Sequence, residues 1–282
     1  MNFLKEPYIK LKDNSVSKEN FELYLEEELQ LLKTFPQPEL ENLWKYYESE
    51  NYISHTDSKK SLFDKVYQII KKRALKNKVN LIDYCNVDKG KVLDIGAGTG
   101  EFLLEAKIKG WKTFGIEPNE KAYKIAKSKG LCLAKNTLEF EDNFFDVITM
   151  WHVLEHVADL DAQIKELKRL IKTTGTIIVA TPNFKSFDAK YYGKFWAAFD
   201  VPRHFWHFSK TAIEKLFLQQ KLKVENVKPM LFDSFYVSLL SEKYKNGKMN
   251  VFKAFLIGLK SNLYGKKNKE YSSHIYIIKN QN

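Results

Sequence analysis

Residues 91–109 constrain the fold of this chain more than any other stretch. A short apolar run, Val92-Leu93-Asp94-Ile95, ends in Gly96-Ala97-Gly98-Thr99-Gly100, and Glu101 to Lys109 follow with the length and spacing of a helix. A strand that turns through closely spaced glycines into a helix opens a parallel βαβ unit. Glycine lets the backbone of such a turn approach a bound ligand, and the free N–H groups of the helix N-terminus face it. The fingerprint of dinucleotide-binding turns needs a third glycine at position 101, where this chain has Glu101. Its carboxylate would oppose a pyrophosphate, as would that of Asp94, two residues before the first glycine. Asp94 suits a ligand that carries cationic groups.

Downstream, β-type runs alternate with helical ones. The runs are Lys91 to Ile95, Lys112 to Ile116, Leu131 to Ala134, Phe145 to Met150, Thr176 to Thr181 and Lys223 to Val227. Glu101 to Lys109, Glu120 to Lys129, Leu160 to Lys172 and Lys210 to Gln220 have the length of crossover helices. With His274 to Ile278 as a last, antiparallel edge strand, the pattern predicts an α/β fold with a mostly parallel seven-stranded sheet and helices on both faces. Ahead of it, Phe21, Leu25, Leu29 and Leu32 recur at helical spacing and predict a helix over Glu19 to Leu32, stopped by Phe35-Pro36-Gln37-Pro38. A second helix is expected over Ser61 to Leu75. Residues 1–89 are thus expected to form a helical appendage and cap, and residues 90–282 the main domain, with a loop near 184–209 and a basic insertion at 241–270.

The formal charge is +11, from 46 basic and 35 acidic residues, a balance that usually raises nucleic acid or an anionic membrane as a partner. Its distribution narrows the choice. Residues 1–90 carry 15 basic and 15 acidic groups, 91–242 carry 22 and 19, and 243–282 carry 9 and 1. Only Arg73, Arg169 and Arg203 are arginines; lysine lacks the planar fork that reads phosphates and base edges, so nucleic acid is disfavoured. Cys85 and Cys132 make neither a metal-ligand pair nor a disulfide framework. No stretch approaches the ~20 apolar residues of a spanning helix. A cytoplasmic protein is expected, with peripheral contact at a membrane left open.

Glu117 closes the second run, 21 positions after Gly96, where an acidic side chain can accept both hydroxyls of a ribose. The consecutive segments VLDIGAGTG, FGIEPNEKAYKIAKSKG, FEDNFFDVITMWHVLEHV and LKRLIKTTGTIIVATPN resemble the motifs of class I S-adenosylmethionine-dependent methyltransferases. The resemblance is strong over about residues 90–185 and more general beyond them. Within that superfamily the chain is similar to the small-molecule branch around the ubiquinone-biosynthesis O-methyltransferases. The resemblance implies a Rossmann-like fold and S-adenosyl-L-methionine as cofactor. It places Asp94, Gly96, Ala97 and Gly98 at the methionine part, Glu117 and Pro118 at the ribose, and Asn136, Thr137 and Leu138 at the adenine. Met150 and Trp151 would border the transferred methyl. Neutral Asn136 stands where the family usually has an acidic residue, unless Glu139 serves instead.

Methyl transfer is mainly a matter of positioning the acceptor, with a base needed only when the acceptor must lose a proton. His152 and His156, four apart after the fourth run, and His204 in the loop are the candidate catalytic residues, since imidazole titrates near neutral pH. His-Val-Leu-Glu-His lacks the HExxH order, and no metal is expected. The loop Phe195 to Ser209 mixes aromatics with cations, so Trp196, Arg203 and His207, with Tyr47 and Tyr52 of the cap, are candidate acceptor contacts. A scaffolding alternative stands beside this, in which Phe205, Trp206 and Phe208 anchor the loop and Ser209 caps the next helix.

Val251 to Tyr264 is apolar with interspersed lysines, as in an interfacial helix or a lid packed over the acceptor cleft. The expected function is methyl transfer to a small-molecule or lipid-linked acceptor, with oxygen the expected atom. An RNA or protein methyltransferase, and a cofactor-binding adaptor without turnover, are the competing functions.

Overall fold

The computed structural model describes residues 1–47, 62–86 and 88–281. Its centre is a seven-stranded sheet made of β4 (Lys91–Ile95), β5 (Lys112–Ile116), β6 (Cys132–Ala134), β7 (Phe145–Trp151), β8 (Ile171–Pro182), β10 (Leu222–Pro229) and β11 (Ser273–Asn280). The spatial order is β10-β11-β8-β7-β4-β5-β6. Strands β8, β7, β4, β5 and β6 run parallel, and β11 is antiparallel to both neighbours. The last strand is therefore no edge strand, a correction to the expectation from sequence. Its run Ile275, Tyr276, Ile277, Ile278 is apolar on both faces, as suits a strand paired along both edges by β8 and β10, with Tyr276 and Ile278 in the core on one face and Ile277 in that on the other.

Alternation along the strands divides the core in two. On one face Leu93, Ile95, Ile148, Met150, Ile177 and Val179 pack under helices Leu160–Leu170 and Lys210–Gln219. On the other, Val92, Val147, Ile178 and Ile277 meet α1 (Leu62–Cys85) and α2 (Glu101–Ile108). Asp94, Thr149 and Trp151 share the parity of Val92 and Val147, so they project from the carboxyl ends of β4 and β7 toward α1 and α2. Open α/β sheets bind ligands at that end.

The N-terminal segment is not the helix its spacing predicted. Residues 9–35 form strands β1 (Ile9–Lys12), β2 (Asn20–Glu26) and β3 (Leu31–Phe35), joined to β9 (Trp206–His207) in a four-stranded sheet. Within β2 the apolar positions Phe21, Leu23 and Leu25 alternate with Glu22, Tyr24 and Glu26, and this period of two prevails. A turn over residues 27–30, where Glu26 accepts the N–H of Leu29 and Gln30 adopts a left-handed φ of 57°, returns the chain so that Leu31 and Leu32 are also buried. The sheet packs on the loop through Leu11, Phe21, Leu23 and Leu32 against Phe184, Trp196 and Phe199.

The basic insertion is a helical hairpin, α7 (Asp233–Asn246) and α8 (Val251–Asn268), when the helices at Glu120–Ser128, Leu160–Leu170, Phe187–Tyr192 and Lys210–Gln219 are taken as α3 to α6. Gly258 lies against Phe235 and lets the two helices approach, since a Cβ there would stand 2.6 Å from the Phe235 ring.

Candidate active site

Between α1 and the glycine turn lies a cleft of about 290 Å³, lined by Lys78, Asp94, Gly96, Ala97, Phe102 and Trp151 among others. The turn has left-handed φ at Gly96 (75°), Gly98 (55°) and Gly100 (78°), which a side chain adopts only under strain. The N–H groups of Gly96 and Ala97 both donate to the Ile116 carbonyl, pinning the turn to β5. A Cβ on Gly96 would meet Val153 Cγ2 at 2.4 Å, whereas one on Gly98 would meet nothing within 4 Å. Gly98 thus faces open space.

Asp94 is buried, and one of its oxygens accepts the Thr149 hydroxyl at 2.6 Å. Burial, aided by the charge of Glu117, pushes its carboxyl up to about 7 against the Thr149 hydrogen bond and the charge of Lys78. Lys78 reaches in from α1, its ammonium 4.4 Å from the centre of the Trp151 ring. Burial lowers its pKa, while the charges of Asp94 and Asp233 oppose that shift. Asp94 and Lys78 therefore line the same cleft. The Trp151 indole packs edge-on against Phe102 at 5.7 Å, and its buried Nε1–H has no partner among the described residues.

Glu117 accepts the Gly98 N–H and the Asn119 N–H, each at 2.7 Å and each on a different oxygen. Either oxygen keeps a second lone pair for a hydroxyl donor. Pro118 is exposed beyond it, and Met150 is fully buried beneath. Asn136 caps the turn Thr137–Glu139 by accepting the Leu138 N–H, and Glu139 accepts the Lys135 N–H. Leu138 is 83% exposed, an apolar surface suited to a planar ring.

The candidate histidines separate into two groups. His152, at a left-handed φ of 57°, lies between Asp233 Oδ2 at 3.0 Å from its Nε2 and Glu155 Oε1 at 3.3 Å from its Nδ1. Burial disfavours the imidazolium, but the hydrogen bonds and charges of Asp233 and Glu155 outweigh it and push the pKa up to about 10. That shift favours the charged imidazole over a free base at His152. His156 and His204 meet edge to face at 4.6 Å. Each has Nδ1 2.9 Å from a carbonyl, Arg203 and Ala198 respectively, and so donates there and keeps a lone pair on Nε2. Tyr47 places its hydroxyl 3.2 Å from His156 Nδ1. Burial and the neighbouring His156 hold His204 well below the usual histidine range, against the charge of Asp200. Donor atoms of Glu155, His156 and His204 lie within 4.8 Å of one another, a group of the type that can hold a cation.

The other loop candidates serve the scaffold. Trp196 is buried and donates its indole N–H to Asp188 at 2.8 Å. The Arg203 guanidinium donates to Asp200, the Tyr46 carbonyl and Ser15. His207 is buried 2.9 Å from the Thr34 hydroxyl, and burial lowers its pKa to about 3. Ser209 caps the following helix by accepting the Ala212 N–H. These contacts match the scaffolding alternative for the loop. Tyr52 lies outside the described residues. Lys78 and Asp233 are the site residues that sequence reasoning missed. The signal for Lys78 was a lysine inside the apolar stripe Leu75, Val79, Ile82, in a helix expected to stop at Leu75.

A family model described as a methyltransferase domain matches residues 50–227, more than half of the chain. A demethylmenaquinone methyltransferase of Geobacillus stearothermophilus is 30% identical over 191 residues, 62% of this chain and 78% of that protein. A ubiquinone biosynthesis O-methyltransferase of Chromobacterium violaceum is 28% identical over 117 residues, 38% of this chain and 50% of that protein. In several such alignments the chain spans about half the length of the curated relative, from 41% to 52%. In fold, the chain is similar to magnesium protoporphyrin IX methyltransferase from Synechocystis, solved with SAH bound, with a TM-score of 0.55 and 14% identity over 84% of this chain and 98% of that one.

Proposed function

This chain belongs to the methyltransferase domain family, and from that premise we propose that it transfers a methyl group from S-adenosylmethionine to an oxygen of a small-molecule or lipid-linked acceptor. S-adenosylmethionine, when bound, supplies a methyl group on a sulfonium, open to in-line displacement by a nucleophile. The observation that carries the proposal is that Lys78 and buried Asp94 line one cleft with Gly96 and Ala97 of the glycine turn. An α-amino acid end has one ammonium and one carboxylate; Asp94 and Lys78 offer one partner of each sign, and the other charged pair of the cleft, Lys71 and Glu101, is closed on itself at 2.8 Å.

Asp94 would hold the ammonium, Lys78 the carboxylate, and Glu117 the ribose hydroxyls with its remaining lone pairs. Leu138 and the turn of Asn136 and Thr137 would cover the adenine. The orphaned Nε1–H of Trp151 fits a polar ligand in the same cleft. His156, with Nε2 free, takes the role of proton acceptor in place of His152, which is held charged. A small acceptor is favoured by relatives named for ubiquinone biosynthesis and for demethylmenaquinone. The test is incubation of the protein with methyl-labelled S-adenosylmethionine and a cell extract, followed by separation of lipid, saccharide, RNA and protein. Label is expected in the lipid or small-molecule fraction; label confined to RNA or protein would overturn the acceptor class.

A further inference from the structure

We propose that the outer face of α8 docks the protein on the surface of an anionic lipid bilayer. Helix α8 is built in the opposite sense to an ordinary surface helix. The side turned inward carries small residues, with Ala254, Gly258, Ser261 and Gly265 buried beside Ile257. The side turned outward carries Phe252, Phe255, Leu256, Leu259 and Leu263, which are between 39% and 74% exposed. Positions 252, 255, 256, 259 and 263 fall on one stripe of a helix, directly opposite the buried one. Leu231 and Phe232, exposed just before α7, extend the surface, since the Asn262 amide donates to the Leu231 carbonyl. Contiguous apolar surface of this kind marks a contact site.

Charge selects the partner. Residues 243–269 contain no acidic residue, and Lys248, Lys260, Lys266, Lys267 and Lys269 are exposed around the apolar stripe. Lysine ammonium groups reach acidic headgroups while the aromatic and leucine side chains enter the acyl boundary. Self-association through this face would bring the lysines of two copies together. No helix of the described residues is long and apolar enough to cross a membrane, so the contact lies in the plane of the surface. The same hairpin is tied to the cleft through Asp233 and His152.

Flotation of the full chain with vesicles tests this. Binding is expected to vesicles of phosphatidylcholine mixed with phosphatidylglycerol, to weaken in high salt, and to be slight with phosphatidylcholine alone. The double variant Phe255→Glu, Leu259→Glu, and separately Lys260→Glu, Lys267→Glu, should each lose about tenfold or more in vesicle affinity while keeping S-adenosylhomocysteine binding and the wild-type circular dichroism. Absence of binding to the anionic vesicles at low salt, or binding unchanged in both variants, would overturn the proposal. So would a dimer in sedimentation velocity that Phe255→Glu, Leu259→Glu abolishes without affecting flotation.

Discussion

His152 Nε2 lies 3.0 Å from Asp233 Oδ2, so the first residue after β7 is bound to the first residue of α7. The bond joins the cleft to the helical hairpin, and with Glu155 it keeps the imidazole charged. Removing the Asp233 charge should bring the histidine down toward its ordinary value of 6.5. Proton NMR of the His152 ring is expected to show no titration across neutral pH in the wild type and a downward shift in Asp233→Asn.

That pair also fixes a direction for stability. A histidine whose folded pKa is raised contributes stability that is fully present below its unfolded value and is lost as pH rises through the folded one. The His152 contribution should therefore persist through neutrality and disappear as pH rises through about 10. Urea midpoints for wild type and Asp233→Asn are expected to differ at neutral pH and to converge above that range. A difference that widens there would show that Asp233 acts through contacts other than the imidazolium.

Asp94 carries the opposite consequence for ligand binding. Its carboxyl, pushed up to about 7, is partly protonated at neutral pH, and an ammonium prefers the carboxylate. The affinity for S-adenosylhomocysteine should rise as pH increases through about 7, and this rise should vanish in Asp94→Asn. The raised pKa also means that the native state binds the proton more tightly than the unfolded chain does, so this group's contribution to stability falls between the ordinary value of 3.8 and about 7. Calorimetric titration across that range measures the first effect, and urea unfolding the second.

Much of this arrangement was readable in the sequence because strand and turn chemistry are local. The runs from Lys91 to Thr181 each became a strand, and Asp94, Gly98 and Glu117 came together because the spacing of a βαβ unit brings the ends of adjacent parallel strands side by side. What failed depended on distant partners. Phe21, Leu25, Leu29 and Leu32 satisfy a helical period, but burial against a loop nearly 170 residues away favours the period of two. His152 looked like a base until Asp233, from the hairpin, supplied its second carboxylate. Arg203 and His207 read as acceptor contacts, and their bonds to Ser15, Tyr46 and Thr34 of the N-terminal segment were not legible from the sequence.

Lys78 allows the methionine end to be tested apart from the nucleoside. A charge-assisted contact with a carboxylate contributes about 1.5–3 kcal/mol, so Lys78→Met should weaken S-adenosylhomocysteine by about tenfold to a hundredfold. Methylthioadenosine has neither the ammonium nor the carboxylate, and its affinity should be unchanged in the same variant. Equal losses for both ligands would place Lys78 in the packing of the cleft and not at the carboxylate.

His204 Nε2 faces Asp200 Oδ2 at 3.8 Å, and the proposed proton acceptor is His156. His156→Gln should lower turnover on an oxygen acceptor by about a hundredfold or more. His204→Gln should cost much less, because burial and the neighbouring His156 hold His204 well below the usual histidine range. A turnover lost in His204→Gln and kept in His156→Gln would reverse the assignment.

Isothermal titration of S-adenosylhomocysteine into the wild-type protein and Asp94→Ala tests the methyl-donor site most directly. The wild type is expected to bind one molecule, and a folded Asp94→Ala to bind it at least about tenfold more weakly, as loss of a charge-assisted hydrogen bond requires. No binding to the folded wild type, or equal binding by the two proteins, would contradict the placement of the cofactor at Asp94 and the glycine turn.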